Sequence, residues 1–121
     1  MTIVFIEDDR AIAGAVRDFL ADKGCRVSLC PTLAAAREAL AGTLPDLVLL
    51  DWTLPDGEGA GFCRELRARA PELPVLLLTV RSDTRDILAG FDCGADDYVT
   101  KPFDREVLYS RMLALLRRSR G

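Results

Sequence analysis

The sequence predicts one doubly wound α/β domain, a five-stranded parallel sheet in a three-layer (βα)5 arrangement. Three observations carry that prediction. Apolar runs of strand length recur at 3–6, 26–29, 47–50, 75–78 and 98–100, and each is followed by good helix formers at helical spacing, near 10–23, 32–41, 58–69, 84–92 and 104–118. Three of the runs are almost continuously apolar, as parallel strands covered on both faces must be, whereas a half-solvated antiparallel sheet alternates. Finally, 121 residues fit a single compact core with no room for a second domain.

The elements follow in order. Ile3, Val4, Phe5 and Ile6 form the first strand, which stops at Glu7-Asp8-Asp9. Gly24 ends the first helix and Gly42 the second, since glycine accepts the left-handed backbone of a helix C-terminus. Leu47 to Leu50 form the third strand, and Leu54-Pro55-Asp56-Gly57 reads as a turn before the third helix, with Pro71 just beyond that helix. Ser82 or Asp83 caps the fourth helix. The last helix frays at Arg117-Arg118-Ser119-Arg120-Gly121, so 117–121 reads as the start of a polar connector.

Composition narrows the function classes. Half the residues are hydrophobic and 29% charged, an ordinary globular balance. With 16 basic and 19 acidic residues the formal charge is −3, which gives no electrostatic drive towards nucleic acid. The N-terminus reaches Glu7 after six residues, too soon for a signal-peptide core or a membrane span, so a cytoplasmic protein with no membrane contact is expected. Cys25, Cys30, Cys63 and Cys93 have no CxxC spacing and no histidine to join them, which argues for packing thiols rather than a zinc site.

Open parallel sheets bind ligands beyond the carboxyl ends of their strands, at the point where the strand order reverses. The unusual residues of this chain fall there: Glu7 and Asp8 after the first strand, Asp51 after the third, Thr79 at the end of the fourth and Lys101 after the fifth. If the strand order is 2-1-3-4-5, the first and third strands are adjacent and three carboxylates, Glu7, Asp8 and Asp51, converge and repel, so they require raised pKa values or a bound cation. Hard oxygen donors favour Mg²⁺, which would also hold the oxygens of an incoming phosphoryl group. In that arrangement Asp51 is the nucleophile, while Lys101 offers a point charge and Thr79 a hydroxyl. Each residue alone has a plainer reading, as a cap, a turn residue, a strand threonine or a surface lysine. Their conjunction at successive strand ends is what points to chemistry.

The segments Ile6-Glu7-Asp8-Asp9, Leu49-Leu50-Asp51-Trp52-Thr53-Leu54-Pro55-Asp56-Gly57, Leu77-Leu78-Thr79 and Gly94-Ala95-Asp96-Asp97-Tyr98-Val99-Thr100-Lys101-Pro102-Phe103 resemble those of response-regulator receiver domains, and the likeness runs from end to end. The resemblance implies a flavodoxin-like fold over 1–121 and a phosphoacceptor domain of a two-component system rather than an enzyme proper. Self-phosphorylation and self-dephosphorylation would be limited and Mg²⁺-dependent. It implies that Asp51 takes phosphate from a sensor histidine kinase, with Mg²⁺ held by Asp8, Asp51 and the Thr53 carbonyl, and Glu7 close by through water. It also implies a cis peptide at Lys101-Pro102 and a switch pair, Thr79 and Tyr98.

Asp-Asp-Tyr-x-Thr-Lys-Pro-Phe is similar to the OmpR-like, winged-helix transcription factors. Their receivers form homodimers through the fourth helix, fifth strand and fifth helix, and they reach promoter DNA only through a C-terminal domain beyond this chain. Asp96, Asp97, Arg111 and Arg118 match their cross-dimer ion pairs. Val107, Arg111, Ala114 and Arg118 share one helical face, which could equally be the edge of the core. Two departures stand out. Ile87 and Val107 occupy positions where that subfamily usually has a Lys and Glu pair, which points to an apolar, less salt-sensitive dimer contact. Val80 stands where the family usually has Ala or Gly, narrowing access to Asp51 and slowing phosphorylation by small donors as well as hydrolysis.

Three rivals compete with this reading. A haloacid-dehalogenase-type phosphohydrolase needs a second Asp two residues after the nucleophile, where this chain has Thr53. A flavodoxin-like electron carrier needs a phosphate-binding loop in place of Glu7-Asp8-Asp9-Arg10. A receiver that works only as a phosphorylation-independent interaction module would not need the five pocket residues that are present here.

Overall fold

The computed structural model describes residues 1–80, 88 and 92–120. Its elements run β1 (Thr2–Ile6), α1 (Arg10–Asp22), β2 (Arg26–Cys30), α2 (Leu33–Ala39), β3 (Leu47–Asp51), β4 (Thr53–Leu54), β5 (Gly57–Glu58), α3 (Gly59–Arg69), β6 (Val75–Thr79), β7 (Asp97–Thr100) and α4 (Arg105–Arg120). The main sheet has the order β2-β1-β3-β6-β7 with every pair parallel, the predicted 2-1-3-4-5 arrangement once the short β4-β5 hairpin is set aside. The predicted helix at 84–92, including Ile87, lies almost wholly outside the described residues.

Strand alternation sorts the sheet's side chains onto two faces. Val4, Ile6, Val48, Leu50, Val75 and Leu77 point towards α2 and α3 and join Leu33, Ala36, Phe62, Cys63 and Leu66 in one core. Ile3, Phe5, Leu47, Leu49, Leu76, Leu78 and Val99 point the other way and meet Ala13, Val16 and Leu20 of α1 with Leu108, Met112, Leu115 and Leu116 of α4. All five residues of β3 and of β6 are buried, as expected for central strands covered on both sides. Each fully buried Leu or Ile contributes about 2 kcal/mol of apolar transfer energy, so these two strands anchor the domain. The four cysteines are buried in these cores.

The first helix ends as its sequence signals, whereas α2 stops at Ala39 with Leu40 as its C-cap, before Gly42, which does not adopt the left-handed backbone expected of it. Asp9 caps α1, its carboxylate accepting from the N–H groups of Ala11 and Ile12 at 3.0 and 3.1 Å. The helix closes with Gly24 at φ +85°, the Gly24 N–H donating to Ala21 and the Cys25 N–H to Leu20, a paired C-terminal motif that needs a left-handed residue. The turn expected at Leu54 to Gly57 is present, and it is the tip of a small antiparallel hairpin that the sequence did not reveal, Thr53 pairing with Glu58 and Leu54 with Gly57. The expectation at 117–120 is corrected, since these residues do not leave the last helix: α4 runs through Arg120, held by buried Leu115 and Leu116, with arginines in its final turns where positive charge suits the helix dipole.

Candidate functional site

The sheet's hydrogen-bond ladder continues one step past the strands and fixes the residues that matter. Glu7 N–H donates to Cys30 O at 3.0 Å, Trp52 N–H to Leu78 O at 2.9 Å and Lys101 N–H to Thr79 O at 2.7 Å. Asp51, the last residue of β3, lies opposite Leu78, and Thr79, the last of β6, lies opposite Thr100. Backbone pairing therefore brings Glu7, Asp51, Thr79 and Lys101 to one end of the sheet, although 94 positions separate Glu7 from Lys101.

Glu7, Asp51 and Thr79 are buried polar residues, at 3%, 7% and 4% exposure. Lys101 connects the acids: its Nζ lies 2.5 Å from Glu7 Oε1 and 3.2 Å from Asp51 Oδ2. Burial first, then the adjacent Asp51, pushes the Glu7 carboxyl above its ordinary pKa against the pull of Lys101. Burial opposes the Lys101 ammonium, but its contacts with Glu7 and Asp51 outweigh that and hold its pKa above the usual lysine value. Two acids share one ammonium, which leaves the pocket short of positive charge.

Asp8, exposed at the mouth, completes the set: one carboxylate oxygen each from Glu7, Asp8 and Asp51 lie within 4.8 Å of one another. Three hard oxygen donors in a partly neutralised acidic pocket fit a small divalent cation, and nothing in the donor set favours a softer metal. Thr53 is exposed at the start of β4, two residues beyond Asp51. Val80 follows directly on Thr79 and is 73% exposed, standing at the surface beside the pocket rather than in the core. Lys101-Pro102 is cis, as the resemblance implied.

Other positions legible in the sequence lie away from this pocket. Tyr98 is half-buried against the α2/α3-side core. Asp97 accepts from Arg111 of the same chain at 3.2 Å, and Val107, 47% exposed, lines an outer groove with Asp97, Glu106, Ser110, Arg111 and Ala114. Asp96 accepts from the Val75 N–H at 2.8 Å and pairs with Arg67 at 2.9 Å, so it ties β6 to α3 within the chain. Arg118 is exposed on α4, and together with Leu115 and Asp96 it lines a separate groove. Ile87 is outside the described residues.

Three supporting residues escaped the sequence reading. Arg67 donates to the carbonyls of Gly94, Ala70, Pro71 and Leu73 besides meeting Asp96. Asp56 accepts from the N–H groups of Leu33 and Ala34 at the start of α2. Gly59 begins α3 so close to the acceptor strand that a Cβ there would lie 2.3 Å from Asp51 O. Asp56 was visible only as part of the Leu54-to-Gly57 turn, without its partners, and Arg67 and Gly59 not at all; contacts between distant segments have no local signature.

A doubly wound sheet with this charged pocket at its strand ends defines the receiver class of signalling domain. The chain belongs to the response regulator receiver domain family, whose model matches residues 3–113. Response regulator MprA of Mycobacterium avium (strain 104) is 41% identical over 120 residues, covering 99% of this chain and 53% of the relative. Among solved structures, a two-component response regulator from Clostridium difficile superposes with TM-score 0.95 at 29% identity, covering 100% of this chain and 99% of that one. The BeF3-activated N-terminal receiver domain of Klebsiella pneumoniae RstA gives 0.91 at 34%, covering 97% and 99%. The chain spans about half the length of the curated relatives it matches. It is a receiver domain of a two-component response regulator, and no helix among the described residues is long and apolar enough to cross a membrane.

Proposed function

We propose that Asp51 is the phosphoacceptor, taking a phosphoryl group from a phosphohistidine of a sensor kinase in a Mg²⁺-dependent step. The observation that carries this reading is the clustering of the Glu7, Asp8 and Asp51 carboxylates with Lys101 inserted between two of them. An Asp51 oxygen forms the new P–O bond as the P–N bond to the kinase histidine breaks, and the imidazole leaves. Asp8, Asp51 and the Thr53 carbonyl would hold the cation, with Glu7 nearby through water. When bound, Mg²⁺ neutralises charge on the phosphoryl oxygens. Lys101 exchanges part of its contact with the acids for a phosphoryl oxygen, and the Thr79 hydroxyl donates to another. Any self-phosphorylation or self-dephosphorylation is a limited side activity of the same pocket.

Thr79 and Tyr98 form the switch that carries the phosphorylation state to the outer face of β7 and α4. That face, with Asp96, Asp97, Val107, Arg111 and Arg118 and with Ile87 on the segment before β7, would form a homodimer. The intrachain Asp97–Arg111 pair and the exposed Val107 support a contact that is partly ionic and partly apolar. The OmpR-like motif supports a further C-terminal domain as the reader of promoter DNA, in a cytoplasmic transcription regulator.

Incubation with Mg²⁺ and beryllofluoride, or with a phosphodonor, tests the reading through mass and oligomeric state. Wild type gains the adduct and dimerises, and Asp51→Asn does neither. A wild type that never takes up the group would leave the alternative, a phosphorylation-independent binding module.

A further inference from the structure

The chain leaves Asp51, makes the β4-β5 hairpin and returns to the same place. At the return, the Gly59 N–H donates to Trp52 O at 2.6 Å, and Gly59 abuts the Asp51 carbonyl so closely that no side chain fits between them. The base of the excursion is therefore closed on the acceptor's own backbone. Its tip is held elsewhere: Asp56 Oδ1 accepts from the Leu33 N–H at 2.9 Å and Oδ2 from the Ala34 N–H at 3.0 Å. A two-strand hairpin of this length has little stability of its own, so its position depends on what holds it from outside: Leu54 buried in the core, the Leu33 side chain packed against Gly57, and the Asp56 tether, which is the directional, charge-assisted one of the three.

We infer that Asp56 is a positioning residue for Asp51: by clamping the hairpin tip to α2 it holds the backbone from Asp51 to Thr53 where the acid pocket can take a cation. Asp56 touches none of the pocket residues and acts only through the chain on either side of it. The tether is bidentate and charge-assisted, the geometry that fixes orientation as well as distance. Thr32 offers an internal control. Its hydroxyl caps the same helix by accepting from the Ala35 N–H at 3.0 Å, and its side chain forms no hydrogen bond to the hairpin. Loss of either residue weakens the α2 terminus, and only loss of Asp56 removes the hydrogen-bonded tether of the hairpin.

This inference rests on the Mg²⁺ reading of the pocket. The experiment is a Mg²⁺ titration followed through Trp52, the chain's one tryptophan and the neighbour of Asp51, with thermal unfolding measured in parallel. Asp56→Ala is expected to weaken Mg²⁺ binding about tenfold, the lower end of what losing a supporting group costs a metal site. Asp56→Asn keeps one acceptor oxygen, recovers part of that loss, and carries the test by itself if the alanine variant does not fold. Thr32→Val should lower the unfolding temperature yet keep Mg²⁺ affinity within about twofold, because a lost cap costs stability alone. Unchanged affinity in the Asp56 variants, or an equal loss in Thr32→Val, overturns the inference. A wild type with no Mg²⁺ response removes the reading of the pocket, and the inference with it.

Discussion

Two ends of this molecule hold an acid beside a base, and physics treats them differently. In the pocket, Lys101 lies between Glu7 and Asp51 with side chains only 13%, 1% and 10% exposed. On the outer face, Arg111 meets Asp97 with side chains 48% and 23% exposed. Water screens the second pair and makes it nearly dispensable, while the first ties together buried charges in a poorly hydrated site, where Glu7 gains, among the described residues, only one backbone N–H besides, from Asp9. The contrast separates a place where buried charges must be balanced from a place where water balances them.

Breaking the inner pair should have the largest effect. Lys101→Met leaves two buried acids uncompensated and is expected to cost about 3 kcal/mol, read by urea unfolding without Mg²⁺. The native contacts raise the Lys101 pKa, so the stabilisation is complete below the ordinary lysine value of 10.5 and is lost as pH rises through the native pKa above it. A Lys101→Met variant as stable as wild type would show the pocket to be far wetter than its burial implies. Gly59→Ala comes next. Its methyl would meet the Asp51 carbonyl at 2.3 Å, so the acceptor strand or α3 must shift, at about 2 kcal/mol in unfolding experiments and with slower phosphorylation.

Val80→Ala tests access rather than stability. The side chain is exposed, so the fold should be unmoved, while phosphorylation by acetyl phosphate and hydrolysis of the phosphoryl group both speed up a few-fold, equivalent to about 1 kcal/mol of barrier. Unchanged rates would remove the gating role. Arg111→Ala should be the mildest, below about 1 kcal/mol of monomer stability, with its main consequence, if the proposed dimer forms, in sedimentation of the beryllofluoride-treated protein. A smaller, pH-dependent difference separates wild type from Asp56→Asn. The N–H groups of Leu33 and Ala34 hold the Asp56 carboxyl below its ordinary value of 3.8, so its contribution is present above that pH and fades as pH falls through the lower native pKa. Thermal unfolding of the two proteins should therefore converge in strong acid.

Much of this molecule was legible before folding. Continuous apolar runs at 47–50 and 75–78 marked the buried central strands, and Gly24 marked the end of α1, because both signals are local. The acids after β1, Asp51, Thr79 and Lys101 stood out because strand ends are where a parallel sheet places its chemistry. The hairpin at Thr53 to Glu58 was hidden: its strands are two residues long and rich in turn formers, so no period could reveal them. Asp96 shows another limit. It matches a position of intermolecular pairing, yet Arg67 and the Val75 N–H bind it inside the chain.

By itself, then, the sequence determined the layer architecture through its hydrophobic period and, given the 2-1-3-4-5 order of the family it resembles, which side chains gather at the carboxyl end of the sheet. Tertiary structure alone decided how those side chains share charge and what holds them in place. The Lys101 contacts with Glu7 and Asp51, the approach of Gly59 to the Asp51 carbonyl and the Asp56 tether to α2 all join segments far apart in the chain. Their strength depends on burial and on sub-ångström distance, quantities that exist only once the chain has closed on itself.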